Sequence, residues 1–294
     1  MAELESPIID LEGLTVFKEE IEAEITSNSG KLSEPLEVSK TVGGITSGTT
    51  YPTDTGFETM WRDMLNPTEN PTLTNPSAAI TVSGSTLLES GASVEKTFTV
   101  TLNRGTISPA NGTSGYRSGV ATGYSLNGGT EQQSNKFTST VTGTNKTFKA
   151  AVSYAAGEQP KNSKGGNYSS PLPAGSVESN TITFEFVDAI WSNATNNATI
   201  AKEALISKST KTKTFNFAAA TASTPEVFDI PASWTVSKVE VLNELSGKWE
   251  NCASEFTISN TTHNNAAGTS VNYKRYTDNR GYAASTRQIK VTWS

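Results

Sequence analysis

Catalysis by side chains needs a nucleophile, an acid and a base that converge, and this chain of 294 residues offers few candidates. His263, the single histidine, lies in Thr261-Thr262-His263-Asn264-Asn265, a polar stretch that reads as a solvated loop between strands. No nucleophile, oxyanion arrangement or orienting acid is identifiable near it. Cys252, the single cysteine, has no partner for an internal disulfide. One His and one Cys cannot supply the usual zinc donor sets, and no calcium loop of the D-x-[DN]-x-[DN]-G type is present. No metal and no other cofactor is expected.

Glycoside hydrolysis needs only two carboxylates, and 29 acidic residues leave open a pair that meets in space. The densest run of acids, however, falls in an N-terminal helix, and the recognisable strands are poor in Asp and Glu. No catalytic residue is assigned, and a non-enzymatic role is expected. The glycines at 43, 44 and 48 precede a helix, which raises the reading of a phosphate loop, because helix N-termini bind anions. The G-x-x-x-x-G-K-[ST] pattern is absent and no lysine is placed to reach a phosphate. The preferred reading is a compact glycine turn leading into a docking helix. Tyr116, Tyr124, Tyr168 and Tyr282 fall in expected loops, where they would stack on sugars, pack at a protein interface or, more simply, cover the edge of their own sandwich. Arg275, Arg280 and Arg287 would face either an acidic partner or solvent.

The elements that must position these residues are mostly strands. Hydrophobic residues make up 34% and charged residues 18% of the chain, and Thr, Ser, Asn and Gly fill the difference. That composition suits short strands joined by many turns. From residue 11 to 25, Leu14, Phe17, Ile21 and Ile25 recur every three or four positions among Lys18, Glu19, Glu20, Glu22 and Glu24, which predicts one amphipathic helix. Its stripe must pack on the following domain or on copies of itself. A polar linker ends near residue 41.

Thr55 and Glu58 have the spacing of a capping box, and Phe57, Met60, Trp61, Met64 and Leu65 are expected to form one apolar docking face that Pro67 and Pro71 terminate. Residues 76–189 carry alternating runs at 79–82, 97–102, 147–154 and 181–187, separated by turn signals. About seven short strands over such a length fit an immunoglobulin-like sandwich. Residues 190–294 repeat the pattern at 214–217, 227–231, 236–242, 256–258, 271–276 and 288–293. The expected fold class is therefore mainly β: short N-terminal helices followed by two β-sandwich (Ig-like) modules. The expected segments are 1–41 for anchoring, 42–75 for the glycine turn and docking helix, 76–189, and 190–294.

The net charge of −6 gives no electrostatic footprint for nucleic acid. No run approaches the ~18 apolar residues of a membrane span. The N-terminus lacks a basic stretch followed by an apolar one, so synthesis in a cytoplasm is expected.

The run Val42-Gly43-Gly44-Ile45-Thr46-Ser47-Gly48-Thr49-Thr50-Tyr51-Pro52, followed by Phe57-Glu58-Thr59-Met60-Trp61-Arg62-Asp63-Met64-Leu65-Asn66-Pro67, resembles a module of virion proteins from phages and prophages of Bacteroides and its relatives, including the crAss-like phages. The stretches Phe228-Asp229-Ile230-Pro231-Ala232, Tyr273-Lys274-Arg275-Tyr276-Thr277 and Ile289-Lys290-Val291-Thr292-Trp293 are similar to a terminal domain of the same group. The resemblance implies a head-fibre or tail-fibre component, commonly a homotrimer, located in the virion. Its partners would be itself, capsid or tail proteins, and a host surface glycan. Leu14, Phe17, Ile21 and Ile25 would then be the interchain knobs. The missing repetitive shaft favours a short head fibre or related appendage over a long tail fibre.

Overall fold

The computed structural model describes residues 30–65, 68–108, 114–194, 199–219, 224–280 and 286–294. Leu14, Phe17, Ile21 and Ile25 lie outside these residues. The fold is mainly β, with one nine-residue α-helix, Phe57–Leu65, among the described residues. The chain forms two compact units. The first comprises Met1–Pro76, Arg104–Val120 and Ala155–Ala174; the second comprises Ser77–Asn103, Ala121–Tyr154 and Gly175–Ser294.

The first unit has a small core of Leu32, Val38, Ile45, Tyr51, Met60 and Met64. A two-residue strand, Leu36–Glu37, pairs with Thr50–Tyr51. The helix starts without the expected capping box. The Thr55 hydroxyl donates to the Pro52 carbonyl (2.6 Å), and Glu58 pairs with Arg62 one turn on. The helix does not need that box, because the Phe57 N–H already donates to the Gly30 carbonyl at 2.9 Å.

The glycine turn also differs from its expected place. It packs on the end of the helix, where the Gly44 N–H donates to the Met64 carbonyl (2.9 Å). Gly43 has φ +57, and a Cβ there would stand 2.5 Å from that same oxygen. The turn closes a helix C-terminus and makes no phosphate cradle. A three-stranded sheet of Thr72–Leu73, Thr106–Ser108 and Gly115–Tyr116, together with a Lys164–Asp63 ion pair, joins the three chain segments of this unit.

The second unit begins with two three-stranded antiparallel sheets. One has the order Lys136–Val141, Val94–Asn103, Ser77–Val82; the other has Gly175–Thr183, Thr147–Tyr154, Ala121–Leu126. Successive residues of a strand point to opposite faces, so each strand gives the core every second side chain. Phe98, Val100, Val141, Phe148 and Val152 come from both sheets into one core, joined by Phe184 just after Gly175–Thr183. Phe98, Phe148 and Phe184 form a three-ring cluster with centroids 4.5 to 6.2 Å apart.

Two larger sheets follow. The five-stranded one has the order Ala201–Lys202, Trp191–Ser192, Val227–Pro231, Ser270–Asp278, Phe256–Asn264. The four-stranded one has the order Thr212–Phe217, Arg287–Trp293, Val236–Asn243, Lys248–Asn251. Between them lie Phe215, Phe217, Phe228, Ile230, Tyr276, Ile289, Val291 and Trp293, with Phe228 stacked on both Phe215 (5.1 Å) and Tyr276 (4.8 Å).

The two halves of this unit are stitched at Glu89, whose carboxylate takes the Lys202 ammonium at 2.7 Å, and at Ser90, whose carbonyl takes the Ala266 N–H. Glu185 adds hydrogen bonds from the Ser207 hydroxyl and the Lys208 N–H, which hold its carboxyl below the usual range. Gly91, at φ +79, lies so close to Ala267 that an added Cβ would stand 2.8 Å from its methyl.

The last strand, Arg287–Trp293, sits inside its sheet with partners on both sides, and Ile289, Val291 and Trp293 enter the core. A chain ending before Arg287 loses this strand and leaves two neighbours unpaired. We expect it to be insoluble, whereas a soluble product that melts cooperatively would show the strand to be dispensable. The milder change Ile289→Ala should cost roughly 2 to 5 kcal/mol in chemical denaturation.

Candidate functional site

Three arrangements bear on function: the outer face of the helix, a polar row on the five-stranded sheet, and a carboxylate–arginine cluster at the end of both larger sheets.

The helix was expected to present Phe57, Met60, Trp61, Met64 and Leu65 as a single face. These residues share one side of the helix, within an arc of about 140°, but are unequally covered: Met60 and Met64 enter the core, Phe57 packs against it, and Trp61 and Leu65 stay outside. Phe57 is half-buried and meets Trp61 edge-on (5.6 Å), but Trp61 is 41% and Leu65 68% exposed. Tyr116, Val120 and Tyr168 are also exposed and belong to the same unit. Arg104 lies 3.9 Å over the Tyr116 ring. Tyr124 packs against the phenylalanine core of the second unit, and Tyr282 lies outside the described residues.

His263 is not in a solvated loop. It belongs to the strand Phe256–Asn264, and its ring stacks on Trp191 (4.2 Å, 8° between planes) with Tyr273 edge-on at 4.9 Å. The sheet register explains the grouping. Trp191 lies opposite Asp229, Asp229 opposite Arg275, and Arg275 opposite Ser259, so one row crosses four strands. Two-residue periodicity then brings Tyr273 and His263 to the same face.

In the strand Val227–Pro231 all five residues are buried. Phe228 and Ile230 face the core, and Asp229 faces this polar row with no exposed surface. Its charge is met by Arg275 through two bonds, Nε to Oδ1 at 2.9 Å and Nη2 to Oδ2 at 2.8 Å, while Nε2 of His263 donates to Oδ2 at 2.6 Å. Burial pushes the Tyr273 phenol up to about 12, so it stays protonated. An Asp–His pair can activate a nucleophile. Here the carboxylate is already committed to arginine, and among the described residues no hydroxyl or thiol bonds the other ring nitrogen of His263. The arrangement neutralises a buried charge.

The third arrangement gathers acids that the sequence scatters. Glu226, Asp278 and Glu255 meet Arg280 and Arg287. The Nη1 of Arg287 bridges Glu226 (2.9 Å) and Asp278 (3.1 Å), and its Nη2 reaches Glu255 at 2.7 Å. Nε of Arg280 donates to both Asp278 oxygens at 3.0 Å. Arg275, Arg280 and Arg287 are thus all paired with acids of their own chain. Among the described residues no group of three or more His, Cys, Asp or Glu could hold a metal ion. Buried Cys252 packs beside this cluster, and burial, reinforced by Glu255 and Glu226, pushes its thiol up to about 12. It is a poor nucleophile at neutral pH. No described helix is long and apolar enough to cross a membrane.

Arg275→Ala would leave Asp229 as an uncompensated buried anion. Breaking such a pair costs about 3 to 5 kcal/mol. Urea denaturation should show a loss of that size, and a loss under about 1 kcal/mol, at the level of a surface pair, would mean that the pair does not hold this sheet.

Comparison of the chain with protein-family models, with curated proteins and with solved structures found no match, so its function is read from its own residues and geometry.

Proposed function

We propose that this chain is a non-catalytic structural subunit of a bacteriophage virion, a short head fibre or related appendage. Its N-terminal region docks and self-associates as a homotrimer, and two β-sandwich modules of immunoglobulin-like type project from it.

One observation carries the reading. Of the seven large hydrophobic side chains exposed among the described residues, five (Trp61, Leu65, Tyr116, Val120 and Tyr168) belong to the first unit, and only Leu245 and Ile258 to the second. The second unit has far more described residues, so chance exposure would favour it. Apolar surface gathered on one part of a chain marks a place of association. The first unit also contains the segment that resembles the phage module and is continuous with the amphipathic stripe Leu14, Phe17, Ile21 and Ile25.

The second unit fits a projecting role. Its aromatic residues fill its cores, and buried Asp229 is paired with Arg275 within it. Symmetric copies of such a subunit multiply weak contacts with a surface, which is what an appendage needs from a module without chemistry of its own. The exposed tyrosines Tyr116 and Tyr168 support a second reading, a carbohydrate-binding surface adhesin, in which they stack on sugars.

The mass of the native protein separates these readings. The full chain should form a species of three times 31.2 kDa. Replacing Leu14, Phe17, Ile21 and Ile25 together by serine should reduce it to one chain. A monomer at micromolar concentration for the unaltered chain would defeat the trimer. Specific capture on a glycan array by that monomer would favour the adhesin, and turnover of a polysaccharide by the purified chain would defeat the non-catalytic reading.

A further inference from the structure

We propose that Glu226 holds a proton in the folded chain near neutral pH, and that this proton ties the stability of the two larger sheets to pH. Charge and geometry within the sheets place that proton, whether or not the chain belongs to a virion.

The cluster contains three carboxylates, Glu226, Asp278 and Glu255, and two guanidinium groups, Arg280 and Arg287. If every acid is ionised, one negative charge remains without a counterpart. Glu255 is the most open of the three acids and has the Nη2 of Arg287. Asp278 is buried but well supplied: it takes Nε and Nη2 of Arg280, the Arg280 backbone N–H at 2.8 Å and Nη1 of Arg287.

Glu226 is 3% exposed and has one strong bond, from Nη1 of Arg287 to Oε2, with Nη2 of Arg280 more distant at 3.6 Å. Its Oε1 is buried with no hydrogen-bond partner among the described residues. A carboxylate oxygen left dry and unbonded is costly, and a proton on this group removes both the excess charge and most of that cost. Burial, and then the charge of Asp278, push this carboxyl up to about 7, although Arg280 pulls the other way. Cys252, the remaining titratable neighbour, stays a neutral thiol.

The position of the cluster gives the proton its leverage. Glu226 immediately precedes the strand Val227–Pro231, Asp278 ends Ser270–Asp278, Arg287 begins Arg287–Trp293, and Glu255 ends the short 3-10 turn Ala253–Glu255. These strands belong to both sheets, so the cluster joins them at one end. The folded value lies above the ordinary 4.5 of an unfolded glutamate. The stabilisation is therefore complete below about pH 4.5 and fades as pH rises through about 7. Acid favours this fold, which is opposite to the behaviour of a salt-bridged carboxylate whose value is depressed.

Calorimetric unfolding of the full chain at pH 6, in two buffers of different ionisation enthalpy, counts the protons released. The unaltered chain should release about one proton more than Glu226→Gln, because Glu226 is protonated only when folded. Between pH 5 and pH 8 its unfolding constant should rise on the order of 100-fold relative to that of the variant. Equal proton release from both chains overturns the proposal. Should the variant fail to fold, infrared spectra of the unaltered chain labelled at glutamate decide the matter. A protonated carboxyl band at pH 6 that fades with a midpoint near 7 supports the proposal, and its absence at pH 6 overturns it.

Discussion

A β-strand offers a core only every second side chain, and in a chain that is 34% hydrophobic this constraint governs everything else. Large rings fill much of each core, set among Val and Ile. Phe98, Phe148 and Phe184 fill one core, and Phe215, Phe228 and Tyr276 stack through the other. A strand covered on both faces has a harder problem. Val227–Pro231 buries every residue, so its second face must be made of something, and at Asp229 that something is a charge. Burying it demands Arg275 and His263 on adjoining strands.

The same constraint decides what could be read from the sequence. Strands with alternating apolar residues, such as Thr147–Tyr154 and Arg287–Trp293, announced themselves because the period of two is written in residue type. Phe256–Asn264 did not. After Ile258 it runs Ser-Asn-Thr-Thr-His-Asn, with no alternation in hydropathy to detect, so beyond its first three residues the sequence reads as a loop. Its partner Ser270–Asp278 pairs with it along its full length, and this pairing, a property of two distant segments, makes it a strand. His263 was misplaced for that reason alone. The helix illustrates a related limit. Its apolar residues are legible, but how many of them are covered depends on the core beneath them, and spacing carries no record of that.

Ion pairing was the least legible feature. Asp229 and Arg275 are 46 positions apart, and Glu226 and Arg287 are 61 apart. Nothing local distinguishes these arginines from solvated ones. One clue was available: Asp229 sits in Phe228-Asp229-Ile230, where a charge interrupts an otherwise apolar strand. A lone charge flanked by core residues on a strand bounded by other strands must find a counterion or unfold the sheet. Reading it that way would have predicted a partner, though not which one.

These pairings bear directly on what the chain can do. A surface arginine is free to recognise a carboxylate or a phosphate, but one that neutralises a buried acid in its own sheet cannot leave without exposing that acid to a dry environment. The larger sheets therefore hold their charges for stability, and the cluster of three acids with two arginines goes further by leaving one acid short of a counterion. Recognition then falls to surface that internal packing has not claimed. In the first unit Trp61, Leu65, Tyr116, Val120 and Tyr168 are surface of that kind.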